Sequence, residues 1–248
     1  MSGLDWLIAR PVAHRGLHDA RAGIIENTPS AFVAAIAGNY AIECDLQLSA
    51  DGEAMVHHDD TLGRLTLGDG RLDTMTAVEL KRAAFRGTAD RMITVGDLCD
   101  LVAGRVTLVI ELKGSFNGDR RLVARAAEVL ARYAGPAALM SFDPAQIAAL
   151  RAIAPGLPRG MVAERRYEPP AWEDLPAASK RAMTYFGHAL RTRPQFIAYS
   201  VQDLPAAIPC VARNIFGLPL LTWTVRTDAD RQRAARYADQ MIFEGFRP

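Results

Sequence analysis

The chain has 248 residues, half of them hydrophobic, and its acidic and basic groups nearly balance at a formal net charge of +1. That length suits one α/β barrel, a fold of about 250 residues. The basic excess or stripe usual in a nucleic-acid binder is not evident, so an anionic ligand is expected to be held by a few local cations.

Three cysteines, Cys44, Cys99 and Cys210, are far apart and show no zinc-type spacing, which fits reduced thiols. The first residues lack a basic stretch followed by an apolar one, and no apolar run approaches a membrane span of about 20 residues. The expectation is a soluble, cytoplasmic protein with no stable membrane anchor and no nucleic-acid partner.

Short β-branched runs alternate with alanine-rich amphipathic stretches, the pattern of a parallel α/β fold. Strands are expected at residues 11–14, 40–46, 106–112, 137–141, 159–163, 196–200, 218–225 and 239–243, enough to close a (β/α)₈ TIM barrel. Helices are expected at 29–37, 77–84, 95–103, 120–133, 144–153, 175–190, 204–216 and 228–237. Thr28-Pro29 and Thr227-Asp228 read as helix starts. One segment breaks the alternation. After Asp45, Leu46 to Glu53 contains the turn pair Asp51-Gly52, and Ala54 to His58 follows with no room for a helix. The chain is expected to form a hairpin that returns His58 beside Glu43 and Asp45. Residues 59–92 then form a cap-like insertion in a single domain, 1–248. A second irregular stretch, 164–193, carries Tyr167, Pro169, Pro170 and Trp172. It reads equally as a pocket wall or as a loop packed on its own aromatics.

In a barrel, chemistry sits at the C-terminal ends of strands. The first strand ends in His14-Arg15-Gly16, a possible proton carrier and a phosphate-forking cation. Alone, His14 reads as a core histidine. Glu43 and Asp45 are two apart on the second strand and share a face. Ile42, Cys44 and Leu46 look like the helix-packed side, which leaves the carboxylates facing inward. Two buried carboxylates cost several kcal/mol per ion unless a cation compensates, and a hard divalent ion would do so. Glu111 and Lys113 again share a face, reading either as a third ligand with a phosphate-binding cation or as a buried ion pair. Trp223 lies on the seventh strand as core or pocket lining. His57 and His58 are adjacent, so one of them faces the site, and periodicity does not say which.

The ordered set His14-Arg15-Gly16, Glu26-Asn27-Thr28-Pro29, Glu43-x-Asp45, Asp51-Gly52, Val56-x-His58-Asp59 with Arg64, and Glu111-Leu112-Lys113 resembles the glycerophosphodiester phosphodiesterase family. Ser141-Phe142-Asp143 and Trp223-Thr224-Val225 are similar to its later strand ends. The resemblance implies a barrel with one divalent metal, Mg²⁺ or Ca²⁺ with Mn²⁺ as the alternative, on Glu43, Asp45 and Glu111. It implies His14 and His58 as an acid–base pair, and Arg15, Lys113 and Trp223 as contacts to a small phosphodiester. The expected reaction is hydrolysis of a glycerophosphodiester to glycerol 3-phosphate and an alcohol. Competing expectations are a lysophospholipid or sugar-phosphate diester, or binding without turnover. Two positions depart from the family pattern: Arg226 stands where asparagine is usual, and Glu244 falls where the last strand usually ends in Thr-Asp.

Overall fold

The β-branched runs form nine strands among the described residues, and eight of them run parallel around a closed ring. They are β1 (Val12–Ala13), β2 (Ala41–Leu48), β3 (Ala54–Val56), β4 (Leu108–Leu112), β5 (Ala137–Ser141), β6 (Arg159–Ala163), β7 (Phe196–Ser200), β8 (Leu220–Val225) and β9 (Gln240–Phe243). The computed structural model describes residues 3–170 and 172–248; the expected loop at 164–193 spans the one internal position outside it. Closure is direct, because β1 pairs in parallel with both β2 and β9. The exception is β3, which runs antiparallel to β2 with Leu46 opposite Val56. That is the expected hairpin: Gly52 takes a φ of 84° at its turn, a conformation glycine adopts without cost. The His57 N–H then donates to the Asp45 carbonyl at 3.0 Å, which brings the chain back to the rim.

The two faces of the strands divide as their alternation demands. Val12, Ala41, Val109, Ala138, Val162, Ala198, Leu221 and Ile242 fill the barrel interior. Ile42, Cys44, Leu46, Ile110, Leu112 and Leu139 face outward and pack on Phe32, Leu98, Val123 and Leu150 of the surrounding helices. Glu43 and Asp45 therefore belong to the inner face.

The helices are α1 (Pro29–Ala37), α2 (Ala77–Arg82), α3 (Val95–Val102), α4 (Arg121–Leu130), α5 (Pro144–Ile153), α6 (Ala177–Thr184), α7 (Ala189–Thr192), α8 (Ala207–Asn214) and α9 (Asp228–Tyr237). Two expectations need correcting. The helix at 175–190 is two helices: Phe186 turns left-handed at φ 54° and the Gly187 N–H closes on the Ala182 carbonyl at 2.8 Å, a helix-ending motif. The helix at 204–216 starts only at Ala207, after a short 3₁₀ turn and Pro205, which has no N–H to give. Both expected helix starts hold, Thr28-Pro29 at α1 and Thr227-Asp228 at α9; Thr227 accepts from the Asp230 N–H in a full capping box, whereas the Thr28 hydroxyl donates to the Ile25 carbonyl.

Residues 59–92 are organised around their own apolar cluster, in which Leu62, Leu72, Leu80, Phe85 and Met92 join Ile25 and Met55. His57 is buried beside it, its ring 6.1 Å from that of Phe85 and its Nδ1 without a partner among the described residues. Burial pulls its pKa from 6.5 down to about 4. The neutral ring is the one the fold accepts, so this contribution to stability is complete above pH 6.5 and is lost as pH falls toward 4. Between pH 7 and 4.5 the loss should reach about 2–3 kcal/mol. His188, also lowered to about 4 by burial, adds its own share, so the difference between wild type and His57→Asn isolates the first group. Urea unfolding at both pH values should show a shallower pH dependence for the variant, and identical slopes would count against the assignment.

Candidate active site

The parallel register aligns the chemistry at one end of the barrel. Asp45 on β2 lies opposite Glu111 on β4, and Glu43 lies one inward-facing position below. Oxygens of all three carboxylates come within 4.8 Å of one another, and all three residues are buried. This acidic triad is the centre of the site.

Two cations face it. The Lys113 ammonium sits 2.7 Å from Asp45 Oδ1 and 2.6 Å from Glu111 Oε1. Arg15 places Nε 3.3 Å from Asp45 Oδ2, too poorly aligned for a hydrogen bond, while its Nη1 binds Glu26 at 2.7 Å. Burial alone would raise the Asp45 carboxyl, but Lys113 and Arg15 hold it far below the usual carboxylate range. Glu43 is treated differently. Its Oε2 accepts the Arg15 backbone N–H at 2.9 Å, and no lysine or arginine pairs with it among the described residues. Burial, then the neighbouring Asp45 and Glu111, drive its carboxyl well above the ordinary range. A buried carboxylate lacking a counter-charge, among oxygen donors only, is the environment a hard divalent ion completes. The donor set fits such a metal.

The first loop is shaped to serve this cluster. Arg15 and Asn27 both adopt left-handed φ, 55° and 56°, and both meet Asp45. Asn27 donates from Nδ2 to Asp45 Oδ2 at 2.9 Å. Gly16, at φ 81°, presses on α1 so closely that a Cβ would come within 2.8 Å of the Ala31 Cβ. Strained backbone of this kind persists where the surrounding packing over-determines it.

The expectation of a reaction centred on a histidine acid–base pair is corrected here. What the fold assembles is the Glu43–Asp45–Glu111 triad; the histidines stand at its margin. No hydrogen bond joins His14 to His58. His14 Nδ1 lies 2.7 Å from Glu244 Oε2, and Arg226 binds that same oxygen at 2.9 Å. His14 Nε2 is left facing Glu43, 3.9 Å away. Burial lowers the His14 pKa despite the Glu244 bond, and that bond takes Glu244 down to about 2. His58 Nδ1 sits 2.8 Å from Asp59, which Arg64 also grips at 2.6 Å. Of the adjacent pair, His58 lines the cavity and His57 does not.

That cavity has a volume of about 230 Å³. The carboxylate triad with His14, Arg15, His58, Lys113 and Arg226 dominates its polar part, and Phe142, Val162, Trp223 and Ile242 its apolar part. Trp223 is fixed by donating from Nε1 to the Ala198 carbonyl at 3.1 Å. The 164–193 stretch reaches this wall: Trp172 packs on Phe142 at 5.0 Å between ring centres and on Tyr167 of its own loop at 5.1 Å. A groove of about 740 Å³ between α3 and α4 is larger, but it is lined by Arg125, Glu128 and Arg132 and gathers no such constellation. The sequence marks Glu244 only by its departure from the family pattern, whereas Trp172 reads equally as part of a pocket wall or of a loop packed on its own aromatics.

A parallel barrel with its polar residues at the C-terminal mouth is an enzyme-type scaffold, and here that mouth carries a buried carboxylate triad able to hold a divalent ion, flanked by two cations. Residues 14–245 match the pattern of the glycerophosphoryl diester phosphodiesterase family, and the chain belongs to that family. It is 34% identical over 110 residues to a glycerophosphodiester phosphodiesterase of Caldanaerobacter subterraneus, covering 41% of this chain and 44% of that protein. Identity with a probable glycerophosphodiester phosphodiesterase 1 of Mycobacterium tuberculosis is 28% over 213 residues, 75% of each chain. The chain thus spans less than half the length of the first of these relatives and three quarters of the second. In fold it is similar to an Oleispira antarctica phosphodiesterase solved with its product sn-glycerol-3-phosphate, at a TM-score of 0.75 and 21% identity over 94% of this chain and 91% of that one. A phosphodiesterase-like protein of Silicibacter pomeroyi gives 0.76 at 23% identity over 98% and 93%. No described helix is long and apolar enough to cross a membrane.

Proposed function

We propose that the chain hydrolyses a small glycerophosphodiester to a glycerophosphate-type product and an alcohol, with a divalent ion held by Glu43, Asp45 and Glu111. The observation that carries this reading is the buried triad itself, in a chain of this family. When bound, the ion supplies Lewis-acid polarisation of the phosphoryl group, which gathers negative charge in the transition state. Mg²⁺, Ca²⁺ and Mn²⁺ all suit the oxygen donors.

The chain's own groups bind and orient. Arg15 and Lys113 flank the triad as the cations that receive the phosphate, and Arg15 Nε has a donor to spare for it. His14, fixed through Nδ1 by Glu244, presents Nε2 to the cavity. His58, fixed by Asp59, lines its other side. Both are assigned to holding polar atoms of the substrate beside the triad. Trp223 forms the apolar wall against the diester's carbon skeleton. Three free thiols, two of them buried, fit a reducing compartment such as the cytoplasm.

Removal of divalent ions tests the reading. Chelation with EDTA should abolish release of glycerol 3-phosphate from a panel of glycerophosphodiesters, and one of the three ions should restore it. Full turnover in metal-free buffer would overturn the metal site, and no turnover with any ion or diester would overturn the activity.

A further inference from the structure

At the phosphate end of the cavity Arg15 and Lys113 offset the carboxylate triad; the side of the rim formed after β6 is built differently. Glu164 follows β6 directly, two residues beyond the cavity-lining Val162. Its carboxylate accepts the Trp172 indole N–H, and its backbone N–H lies 3.4 Å from the Tyr167 hydroxyl. Trp172 packs edge-on against Phe116 at 5.9 Å and on Phe142 at 5.0 Å, and Phe142 meets Trp223 at 5.6 Å. An unbroken aromatic surface therefore runs from the wall of the phosphate cavity to a carboxylate. Among the described residues no lysine or arginine pairs with that carboxylate, although Arg165 and Arg166 follow it in sequence.

A carboxylate set among aromatic rings and lacking a counter-ion is the chemistry that recognises an organic ammonium: the ring faces attract the cation and the acid supplies the full charge. Glu164 lies in reach of the acidic Asp203 and Glu168, which deepen the negative potential, and burial with these neighbours raises its carboxyl to about 7. A bound cation would draw it fully ionised. The far rim thus offers an anionic contact separate from the Arg15 and Lys113 cations.

We propose that Glu164 and Trp172, continued by Phe142 and Trp223, form a rim subsite that selects diesters whose alcohol carries an ammonium group. This rests on the phosphodiesterase reading above.

The test compares glycerophosphocholine with its neutral 3,3-dimethylbutyl isostere, which has the same shape without the charge. Wild type should favour the cationic ester in kcat/KM by about tenfold or more, the size of a cation–π contact strengthened by a carboxylate. Glu164→Gln and Trp172→Leu should each collapse that ratio toward one. A wild-type ratio near one, or a ratio that survives Glu164→Gln, would overturn the subsite while leaving the hydrolase reading intact. A binding measurement separates the two readings further. Tetramethylammonium should quench tryptophan fluorescence saturably in wild type and not in Glu164→Gln, whether or not any ester is turned over. No saturable quenching in wild type would also overturn the proposal.

Discussion

Glu43→Gln should inactivate the enzyme and, in the absence of metal, make it more stable. The two effects have one cause. Glu43 is buried without a lysine or arginine partner and stands among Asp45 and Glu111. Its carboxyl is raised, so the folded state prefers it neutral while the unfolded chain prefers it ionised at pH 7. Stability from this group is complete below the ordinary carboxylate range and is lost as pH rises from there through its raised folded-state value. Glutamine keeps an acceptor for the Arg15 N–H and removes the conflict, which should add about 1–3 kcal/mol at pH 7 and almost nothing at pH 4. The same change deprives a divalent ion of a ligand. Losing several kcal/mol of Lewis-acid stabilisation corresponds to about a thousandfold in rate. Thermal unfolding gives a readout independent of turnover: a divalent ion at 100 times its Kd should stabilise wild type by about 2.7 kcal/mol and the variant far less. Equal activity, or an unchanged response to the ion, would remove Glu43 from the site.

Much of this was legible in the sequence because it depends on period two. Alternation alone separates Glu43 and Asp45 from Ile42, Cys44 and Leu46, and the register of β2 with β4 then adds Glu111. The Asp51-Gly52 turn gave the hairpin and the return to the rim. What the residues did not disclose was what each histidine is bonded to. His14 and Glu244 are 230 positions apart, and only closure of β1 on β9 joins them. The histidines were read as the centre of the chemistry because their roles rested on resemblance, whereas the three acids carried a physical argument of their own. The aromatic path from Trp223 to Trp172 was hidden for a similar reason: it joins side chains from three separate segments through ring packing that no local period encodes. The split of the expected 175–190 helix turned on Phe186, a residue with no preference for the left-handed conformation it adopts.

Lys113→Met provides the converse experiment. Lys113 joins the two carboxylates that Glu43 repels, lying 2.7 Å from Asp45 and 2.6 Å from Glu111. Burial disfavours its charge, but the two acids more than compensate and hold its pKa above the ordinary value. Methionine preserves most of the aliphatic stem and deletes the ammonium, so the packing change is small and the electrostatic one large. Breaking a buried ion pair by removing one partner costs about 3–5 kcal/mol, and partial exposure of the lysine argues for the lower end. The metal-free variant should therefore unfold at clearly lower urea concentration than wild type, opposite in sign to Glu43→Gln. A divalent ion on the triad replaces the missing positive charge, so saturating metal should recover much of the lost stability. It should not recover the rate, because the phosphate would still lack one of its two flanking cations; a deficit of about a hundredfold is expected from the loss of one such contact. Stability rescued by metal with the rate still depressed separates a role beside the phosphate from a purely structural ion pair. If saturating metal restored both, Lys113 would be reduced to a stand-in for the ion.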